Sequence, residues 1–179
     1  MKYLIATDIH GSSISAKIIK EKFEKLGANK LVLLGDILYH GARNDLPAGY
    51  APKEVTEILN SLADKIIAVR GNCDSEVDQM VLNFMINENA AIDIGGKFVF
   101  LTHGHHVNPE TPAKLANGSI VLYGHFHVTK KTVVDGVTYI NVASITLPKN
   151  GCEKCYGILD EKGVQIFNLN DQLILEEKF

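Results

Sequence analysis

Short apolar runs alternate with helical patterns over the first seventy residues. Three runs of this kind, each too short for a helix and suited to a buried strand, occupy residues 2–7, 30–34 and 65–69. Between the first two, residues 12–26 place apolar side chains at helical spacing, with Ser12 or Ser13 as the N-cap. Residues 52–62 begin with a proline, which is typical of the first turn of a helix. This alternation restricts the chain to an α/β fold.

The second half of the chain is typical of β-structure. Two strands, two hairpins and a closing strand are predicted at residues 97–102, 119–123, 132–140, 157–169 and 173–179. The first hairpin carries an Asp-Gly turn at residues 135–136 between β-branched runs. No internal repeat or linker interrupts the pattern. We therefore predict one domain, residues 1–179, made of two packed sheets with helices outside.

The overall charge and hydropathy exclude some classes of protein. Eighteen Lys and Arg against twenty-one Asp and Glu leave a net charge of -3. This balance argues against a long nucleic acid as partner, because such binding needs clustered basic residues, but it allows a small phosphate ester. No run approaches the roughly 18 apolar residues of a membrane span, and the N-terminus lacks the features of a signal peptide. We expect a cytoplasmic protein with no membrane partner.

Two of the three cysteines have a spacing found in zinc and redox motifs. Cys152 and Cys155 form a C-E-K-C run near the end of the chain. A structural zinc would need two further ligands, and no second cysteine pair supplies them. We therefore assign no function to this pair.

Side chains able to bind metals follow five of the predicted strands. In chain order they are Asp8 and His10, Asp36, Asn72, His103, and His125 and His127. Each has an ordinary explanation when taken alone, because Gly-Asp is common in turns and an aspartate can cap a helix. Ligands bind where the carboxyl ends of strands converge, so we expect these side chains to meet in one place. Five such coincidences in one chain indicate a metal site.

The types of these side chains restrict the metal. Carboxylates, an amide oxygen and imidazoles suit Mn²⁺, Fe²⁺ or Zn²⁺. Two aspartates, one asparagine and four histidines are too many for one ordinary site, but they suffice for two ions that share a carboxylate. Two ions about 3.5–4 Å apart can hold a phosphoryl group and activate water for in-line attack. The sequence therefore predicts a dinuclear centre.

The motif order resembles that of the calcineurin-like metallophosphoesterase superfamily. The stretches ATDIHGS, GDILYHGARNDLPAGYAP, AVRGNCDSEVDQM, LTHGH and YGHFH are most similar to the small bacterial YfcE-type phosphodiesterases. This resemblance implies a four-layer αββα sandwich of two mixed sheets flanked by helices. It also implies a homo-oligomer, either a dimer or a tetramer.

The same resemblance implies a ligand set for each metal. One ion would be held by Asp8, His10 and His127, the other by Asn72, His103 and His125, and Asp36 would bridge them. Manganese is the expected metal, with Fe²⁺, Zn²⁺ and Ni²⁺ as alternatives. A hydroxide between the ions would be the nucleophile, so that no side chain would form a covalent intermediate.

Residues 72–74 are the predicted catalytic segment. Asn72 is expected to bind a metal and contact the phosphate. Cys73 stands where larger superfamily members have a histidine that is thought to protonate the leaving group. Because a thiol of pKa about 8.5 is a poorer acid for an alkoxide, we predict a preference for good leaving groups or a proton from water. Asp74 is expected either to orient a histidine or to serve as a turn or helix-capping residue.

The loop at residues 37–50 is long enough to predict a substrate-binding role. His40, Arg43 and Asn44 are its candidate contacts, since an arginine matches the geometry of phosphate oxygens. The alternative is a solvated loop. His105 could reach the substrate if it shares the face of His103, and it is otherwise a surface residue.

Two stretches depart from the family pattern. Phe126 replaces a small hydroxyl residue between the last two histidines, and we expect its side chain to point away from the ligands and alter only packing. Residues 141–144 read N-V-A-S where the family tends to have N-P-G-S. The backbone turn there could therefore differ from that of the family, although no metal ligand is lost.

Hydrolysis of a small phosphodiester is the leading interpretation. A phosphomonoesterase or a nuclease could use the same metals. A non-catalytic scaffold is the third interpretation, because the retromer subunit of this superfamily serves in protein interactions with a degraded metal site. Since all seven ligand positions carry ligand-competent side chains here, the scaffold is disfavoured.

Overall fold

The computed structural model describes residues 1–179 and contains two mixed β-sheets. Its helices are α1 (Ser13–Lys25), α2 (Pro52–Asn60) and α3 (Glu76–Val81), with a 3-10 turn at Ala63–Lys65. Its strands are β1 (Tyr3–Ala6), β2 (Lys30–Leu33), β3 (Ile66–Val69), β4 (Ile86–Asn87), β5 (Ala90–Ile94), β6 (Lys97–Leu101), β7 (Ile120–Tyr123), β8 (Thr129–Val134), β9 (Val137–Val142), β10 (Cys155–Asp160), β11 (Gly163–Asn168) and β12 (Leu173–Lys178). None of the helices combines the length and the hydropathy that crossing a membrane requires.

Parallel strands lie at the centre of both sheets. The larger sheet has the order β12-β11-β10-β1-β2-β3-β4, in which β1 to β4 are parallel. The smaller sheet has the order β5-β6-β7-β9-β8, in which β6, β7 and β9 are parallel. The segments that follow β1, β2, β3, β6 and β7 carry the predicted metal ligands, so the topology brings strand ends of both sheets together.

The core has two main layers because side chains of a strand point alternately to its two faces. In β1, Leu4 and Ala6 pack toward the helices, whereas Ile5 packs between the sheets. Ile19 of α1 and Leu59 of α2 complete the first layer. The second layer lies between the two sheets and joins them.

The predicted α/β class with two mixed sheets is confirmed. Ser12 caps α1, and both predicted hairpins form. Asp135 and Gly136 have φ values of 49° and 74°, the left-handed conformation that a two-residue hairpin turn requires. The helix predicted at residues 52–62 is two residues longer than α2. Strands β4 and β5 were not predicted.

One outer layer differs from the expected arrangement. No helix covers the outer face of the smaller sheet, where Val107 and Leu115 of an irregular segment pack against Tyr123 and Tyr139. The Tyr139 hydroxyl also accepts the backbone N–H of Ala113 at 3.1 Å. This segment, residues 102–119, contains two prolines and two glycines and lacks helical spacing, which explains why it forms a loop.

Candidate metal centre

Left-handed backbone is concentrated at the predicted ligands. The non-glycine residues of this kind at the site are Asp8, His10, Asp36, His125 and His127, with φ between 50° and 66°. They are five of the nine such residues in the chain. Each costs about 1–2 kcal/mol, and such residues cluster where a site must hold a fixed geometry. The backbone N–H of His10 donates to the Asp36 carbonyl at 2.9 Å, which helps to hold this conformation.

Two glycines let the backbone of one ligand segment come close to a carboxylate of another. A Cβ atom at Gly71 would lie 2.1 Å from Oδ1 of Asp36. A Cβ atom at Gly124 would lie 2.6 Å from Oδ2 of Asp8 and still closer to Thr7. Any side chain at these positions would therefore displace a carboxylate of the site.

Three histidines have their ring orientation fixed by backbone carbonyls. Nδ1 lies 2.9 Å from the Tyr39 carbonyl in His10, 2.6 Å from the Leu34 carbonyl in His103 and 2.5 Å from the Leu147 carbonyl in His127. Because a carbonyl oxygen only accepts, Nδ1 carries a proton in all three, and Nε2 is the atom that a metal ion would bind. The Nε2 atoms of His10 and His127 are 3.2 Å apart. Two lone pairs at this distance repel each other unless a cation or a proton lies between them.

The two carboxylates each use one oxygen within the protein. Oδ2 of Asp8 accepts hydrogen bonds from Thr7 and from the backbone of His125, while its buried Oδ1 has no hydrogen-bond partner. Oδ1 of Asp36 accepts the N–H of Cys73 at 2.8 Å, and its Oδ2 lies 3.4 Å from Nε2 of His103. A buried carboxylate oxygen without a donor is costly, so these residues fit a divalent cation.

The pKa values indicate where charge lies in the cluster. Burial alone would raise the pKa of Asp8 and Asp36, but the neighbouring imidazoles of His127 and His103 lower both. Burial likewise opposes the charged form of His103, yet its hydrogen bond to Asp36 and the two carboxylates raise its pKa to about 9. Burial and the nearby His103 lower the pKa of His125 to about 4. The cluster thus binds positive charge at its centre.

The predicted ligands form overlapping groups. Asp8, His10 and His127 form one group, and Asp8, Asp36 and His103 form another, each with its ligand atoms within 4.8 Å of one another. Oδ1 of Asn72 lies 3.1 Å from Nε2 of His103, and the His125 ring lies 5.1 Å from the His103 ring. The structure therefore places all seven side chains together.

The sequence model of the calcineurin-like phosphoesterase superfamily domain matches residues 1–163. The chain belongs to this superfamily. Phosphodiesterase YfcE of Escherichia coli strain K12 is 44% identical over 178 residues, which cover 99% of this chain and 97% of that protein. The solved structure of this E. coli phosphoesterase has a TM-score of 0.95 at 42% identity, with 99% of each chain covered.

The fold is also similar to that of a more distant protein. Wild-type Vps29 of Entamoeba histolytica, solved with zinc, has a TM-score of 0.59 at 21% identity and covers 100% of this chain and 98% of its own. At this identity the likeness concerns the fold alone.

A cleft of about 400 Å³ adjoins the cluster of predicted metal ligands in this calcineurin-like protein. Of the predicted substrate contacts, Arg43 and Asn44 line it, and the amide of Asn44 also donates to the His40 carbonyl at 2.8 Å. His40 and His105 are not among its lining residues. The His40 ring packs edge-on between Tyr39 and Tyr50, and the His105 ring lies 3.9 Å from that of His106.

Sequence reasoning missed one cation of the cleft. Lys149 lines it, and its N–H donates to the His127 carbonyl at 2.9 Å. The sequence around Lys149, in the loop after β9, does not indicate a role at the site, because only the fold brings this loop to the ligands. Tyr39 and Ser75 also line the cleft and were not predicted.

Asp74 accepts three backbone N–H groups and contacts no histidine. Its carboxylate binds the N–H groups of Asp36 at 2.8 Å, Ile37 at 2.7 Å and Gly71 at 2.8 Å. Helix α3 is capped by Ser75, which forms a capping box with Asp78. Neither the histidine contact nor the helix cap predicted for Asp74 is present, whereas the predicted turn role is, because Asp74 bonds to Gly71 through both its carboxylate and its backbone N–H. The residue also fastens the turn that carries Asn72 to the turn that carries Asp36.

The thiol of Cys73 lies at the cleft in a neutral form. Burial, followed by the charge of Asp36, raises the pKa of Cys73 to about 12. The amide of Asn72 lies 3.4 Å from its Sγ. Since the thiolate is the reactive form, a covalent role for Cys73 is disfavoured.

Phe126 is 41% exposed and does not line the cleft. Its ring packs edge-on against Tyr123 and His125. The segment is a loop between β7 and β8, so the left-handed backbone of both histidines, rather than strand alternation, directs them to the site.

The altered turn at residues 141–144 keeps its hydrogen bonds. Asn141 donates to the Gly124 carbonyl at 2.6 Å, and the Ser144 hydroxyl donates to the Asp8 carbonyl at 2.8 Å. Ala143 takes up a φ of 67° in this turn, a conformation that favours glycine. The turn therefore supports both ligand segments despite the changed sequence.

Proposed function

We propose that this protein is a metal-dependent phosphodiesterase that hydrolyses a small phosphodiester by in-line attack of water. The observation that carries the proposal is the complete set of seven ligand side chains around Asp8, whose buried Oδ1 has no donor. The 44% identity to a phosphodiesterase over nearly the whole chain supports it. We further propose that residues 1–179 act as one domain.

In this proposal Asp8, His10 and His127 hold one divalent ion, Asn72, His103 and His125 hold the other, and Asp36 bridges them. The ions would supply Lewis acidity, which lowers the pKa of water and offsets charge on the phosphoryl group. Three histidines are held in the ligating tautomer by backbone carbonyls, so the donors need no reorientation. Arg43 and Asn44 line the cleft and would contact the substrate there.

We propose Mn²⁺ as the metal, as the resemblance to the YfcE-type phosphodiesterases implies. Carboxylate, amide and imidazole ligands without a thiolate suit Mn²⁺, Fe²⁺ and Zn²⁺ alike, so the donor set itself allows all three. The three cysteines are free, which suits a reducing compartment and supports a cytoplasmic location. A homo-oligomer stays a prediction.

Hydrolysis by metal-loaded protein tests the proposal. Protein stripped of metal by a chelator and reloaded with Mn²⁺ is expected to hydrolyse bis(p-nitrophenyl) phosphate, and Asp36→Asn and His125→Ala are expected to abolish this activity. Asp93→Asn and His106→Ala, at exposed positions of β5 and of the loop after β6, are the matched controls. Full activity of Asp36→Asn, or protein that binds Mn²⁺ without hydrolysing the diester, would contradict the proposal.

The alternative activities separate in the same assay. Rates on p-nitrophenyl phosphate and on a single-stranded oligonucleotide distinguish a monoesterase and a nuclease from a diesterase. The net charge of -3 makes the oligonucleotide the poorest expected substrate. Protein that stays free of metal in excess Mn²⁺ would favour the scaffold instead.

A further inference from the structure

Two cations line the cleft without an anionic partner. Neither Arg43 nor Lys149 forms an ion pair, in contrast to Arg70, which pairs with Glu76 and Glu88. The two carboxylates that line the cleft have other partners. Asp36 lies beside His103 of the ligand cluster, and Asp74 is buried and accepts three backbone N–H groups.

The positions of both cations are set by the fold. The N–H of Lys149 donates to the carbonyl of His127, and the ring of that histidine donates to the Leu147 carbonyl. Two hydrogen bonds thus join the loop that carries Lys149 to His127, a proposed metal ligand. Arg43 lies in a turn in which the backbone of Asn44 donates to the Gly41 carbonyl at 3.1 Å. Both side chains are exposed, so they are free to meet a substrate.

If two divalent ions are bound, as the proposed function has it, one phosphodiester would not need these cations. The two ions would bring four positive charges, against one negative charge each for Asp8, Asp36 and the hydroxide that hydrolysis consumes. The surplus of one positive charge matches the single negative charge of a phosphodiester. Arg43 and Lys149 therefore add two positive charges beyond those that the scissile group requires.

We propose that Arg43 and Lys149 bind a second phosphate carried by one organic arm of the diester. The substrate class is then a small phosphodiester with an additional phosphate group, and this inference rests on the proposed function. A guanidinium matches two phosphate oxygens at once, and an ammonium adds a mobile point charge. A phosphate monoester carries about two negative charges at neutral pH, which the two cations balance.

A matched pair of chromogenic diesters tests the inference. Thymidine 5′-(p-nitrophenyl phosphate) and its 3′-phosphorylated form share the scissile bond and the leaving group, and they differ only in the second phosphate. We expect kcat/KM to be about tenfold or more higher for the 3′-phosphorylated form, mainly through a lower KM. Added salt should reduce this advantage, because the cations are exposed.

Variants connect the preference to the two residues. Arg43→Gln and Lys149→Gln are each expected to remove most of the preference, while Lys149→Arg should retain it. Lys162→Gln, in the exposed turn between β10 and β11, is the matched control and should change neither rate. A preference that stays unchanged in both glutamine variants overturns the inference.

The outcomes also separate the inference from the proposed function. Equal kcat/KM for the two diesters in the wild-type protein overturns the inference and leaves the phosphodiesterase intact. If neither diester is hydrolysed, the proposed function fails. Calorimetry with thymidine 3′,5′-bisphosphate and thymidine 5′-phosphate then measures the same contrast, and equal affinities overturn the inference as well.

Discussion

A carboxylate oxygen of Asp74 accepts the backbone N–H of Asp36 at 2.8 Å. The same oxygen accepts the N–H of Gly71 at 2.8 Å, so one buried side chain links the turns that follow β2 and β3. These turns carry Asp36 and Asn72, which are proposed ligands at the metal centre. A residue that touches no metal thereby sets the distance between two ligands.

Asp74→Asn is expected to weaken both the fold and the metal site. Asparagine has one acceptor oxygen, and its NH₂ group would face a backbone N–H, which leaves buried donors unsatisfied. We expect the free energy of unfolding to fall by about 2–4 kcal/mol and Mn²⁺ affinity to fall by about 10–100-fold. Denaturant unfolding and calorimetric Mn²⁺ titration measure the two effects, with Asp93→Asn as the control. Wild-type Mn²⁺ affinity in Asp74→Asn would contradict this role.

Gly71→Ala is expected to disturb Asp36 directly. The added methyl group would meet Oδ1 of Asp36 at 2.1 Å, so the carboxylate must move. We expect a loss of about 1–3 kcal/mol in unfolding free energy together with weak Mn²⁺ binding. Gly27→Ala is the control, because its Cβ meets nothing within 4 Å and only its left-handed φ of 59° costs about 1 kcal/mol. Equal Mn²⁺ affinities in the two variants would count against the steric explanation.

Metal affinity is expected to rise with pH. His103, with a pKa raised to about 9, holds a proton at neutral pH in the metal-free protein, and an ion bound at Nε2 must displace it. Each unit of pH below about 9 should therefore lower the apparent Mn²⁺ affinity by about tenfold, and binding should release a proton. Calorimetry between about pH 6.5 and about pH 8.5, in buffers of different protonation enthalpy, measures both quantities. A constant affinity over this range would refute the prediction.

Cys73→Ala is expected to leave the hydrolysis of aryl diesters within about tenfold of wild type. A general acid contributes about 10²–10⁴-fold, and a thiol with a raised pKa facing a nitrophenolate contributes little. Cys73→His should extend hydrolysis to diesters with alkoxide leaving groups. Rates plotted against leaving-group pKa measure this change. An unchanged profile in Cys73→His would mean that Cys73 is only a small residue in the cleft wall.

The place of the site could be predicted from the sequence because its signals are local. Strands β1, β2 and β3 are short apolar runs, and a glycine or a metal-binding side chain stands two residues after the end of each one. Strand β5 was missed although Ile92 and Ile94 alternate before a Gly-Gly turn, which is a hairpin signal. Strand β4 has only two residues, and such a segment has no period to detect.

The details of the site depend on contacts between distant segments. Asp74 binds N–H groups 37 and 38 residues away, and Lys149 reaches the cleft through the carbonyl of His127. No spacing in the sequence encodes either contact. The left-handed conformation of His10 is likewise stabilised by the Asp36 carbonyl, so the propensity of the residue alone would not have revealed it.

The five left-handed ligand residues have a consequence for cofactor exchange. Hydrogen bonds within the protein hold the backbone of Asp8 and His10, so the fold contributes to the placement of the donor atoms. Replacing one divalent ion by another then becomes a simple ligand substitution without any refolding step. The ion that occupies this protein in a cell is expected to follow metal supply and exchange rates, and the same chain could change its working metal as its surroundings change.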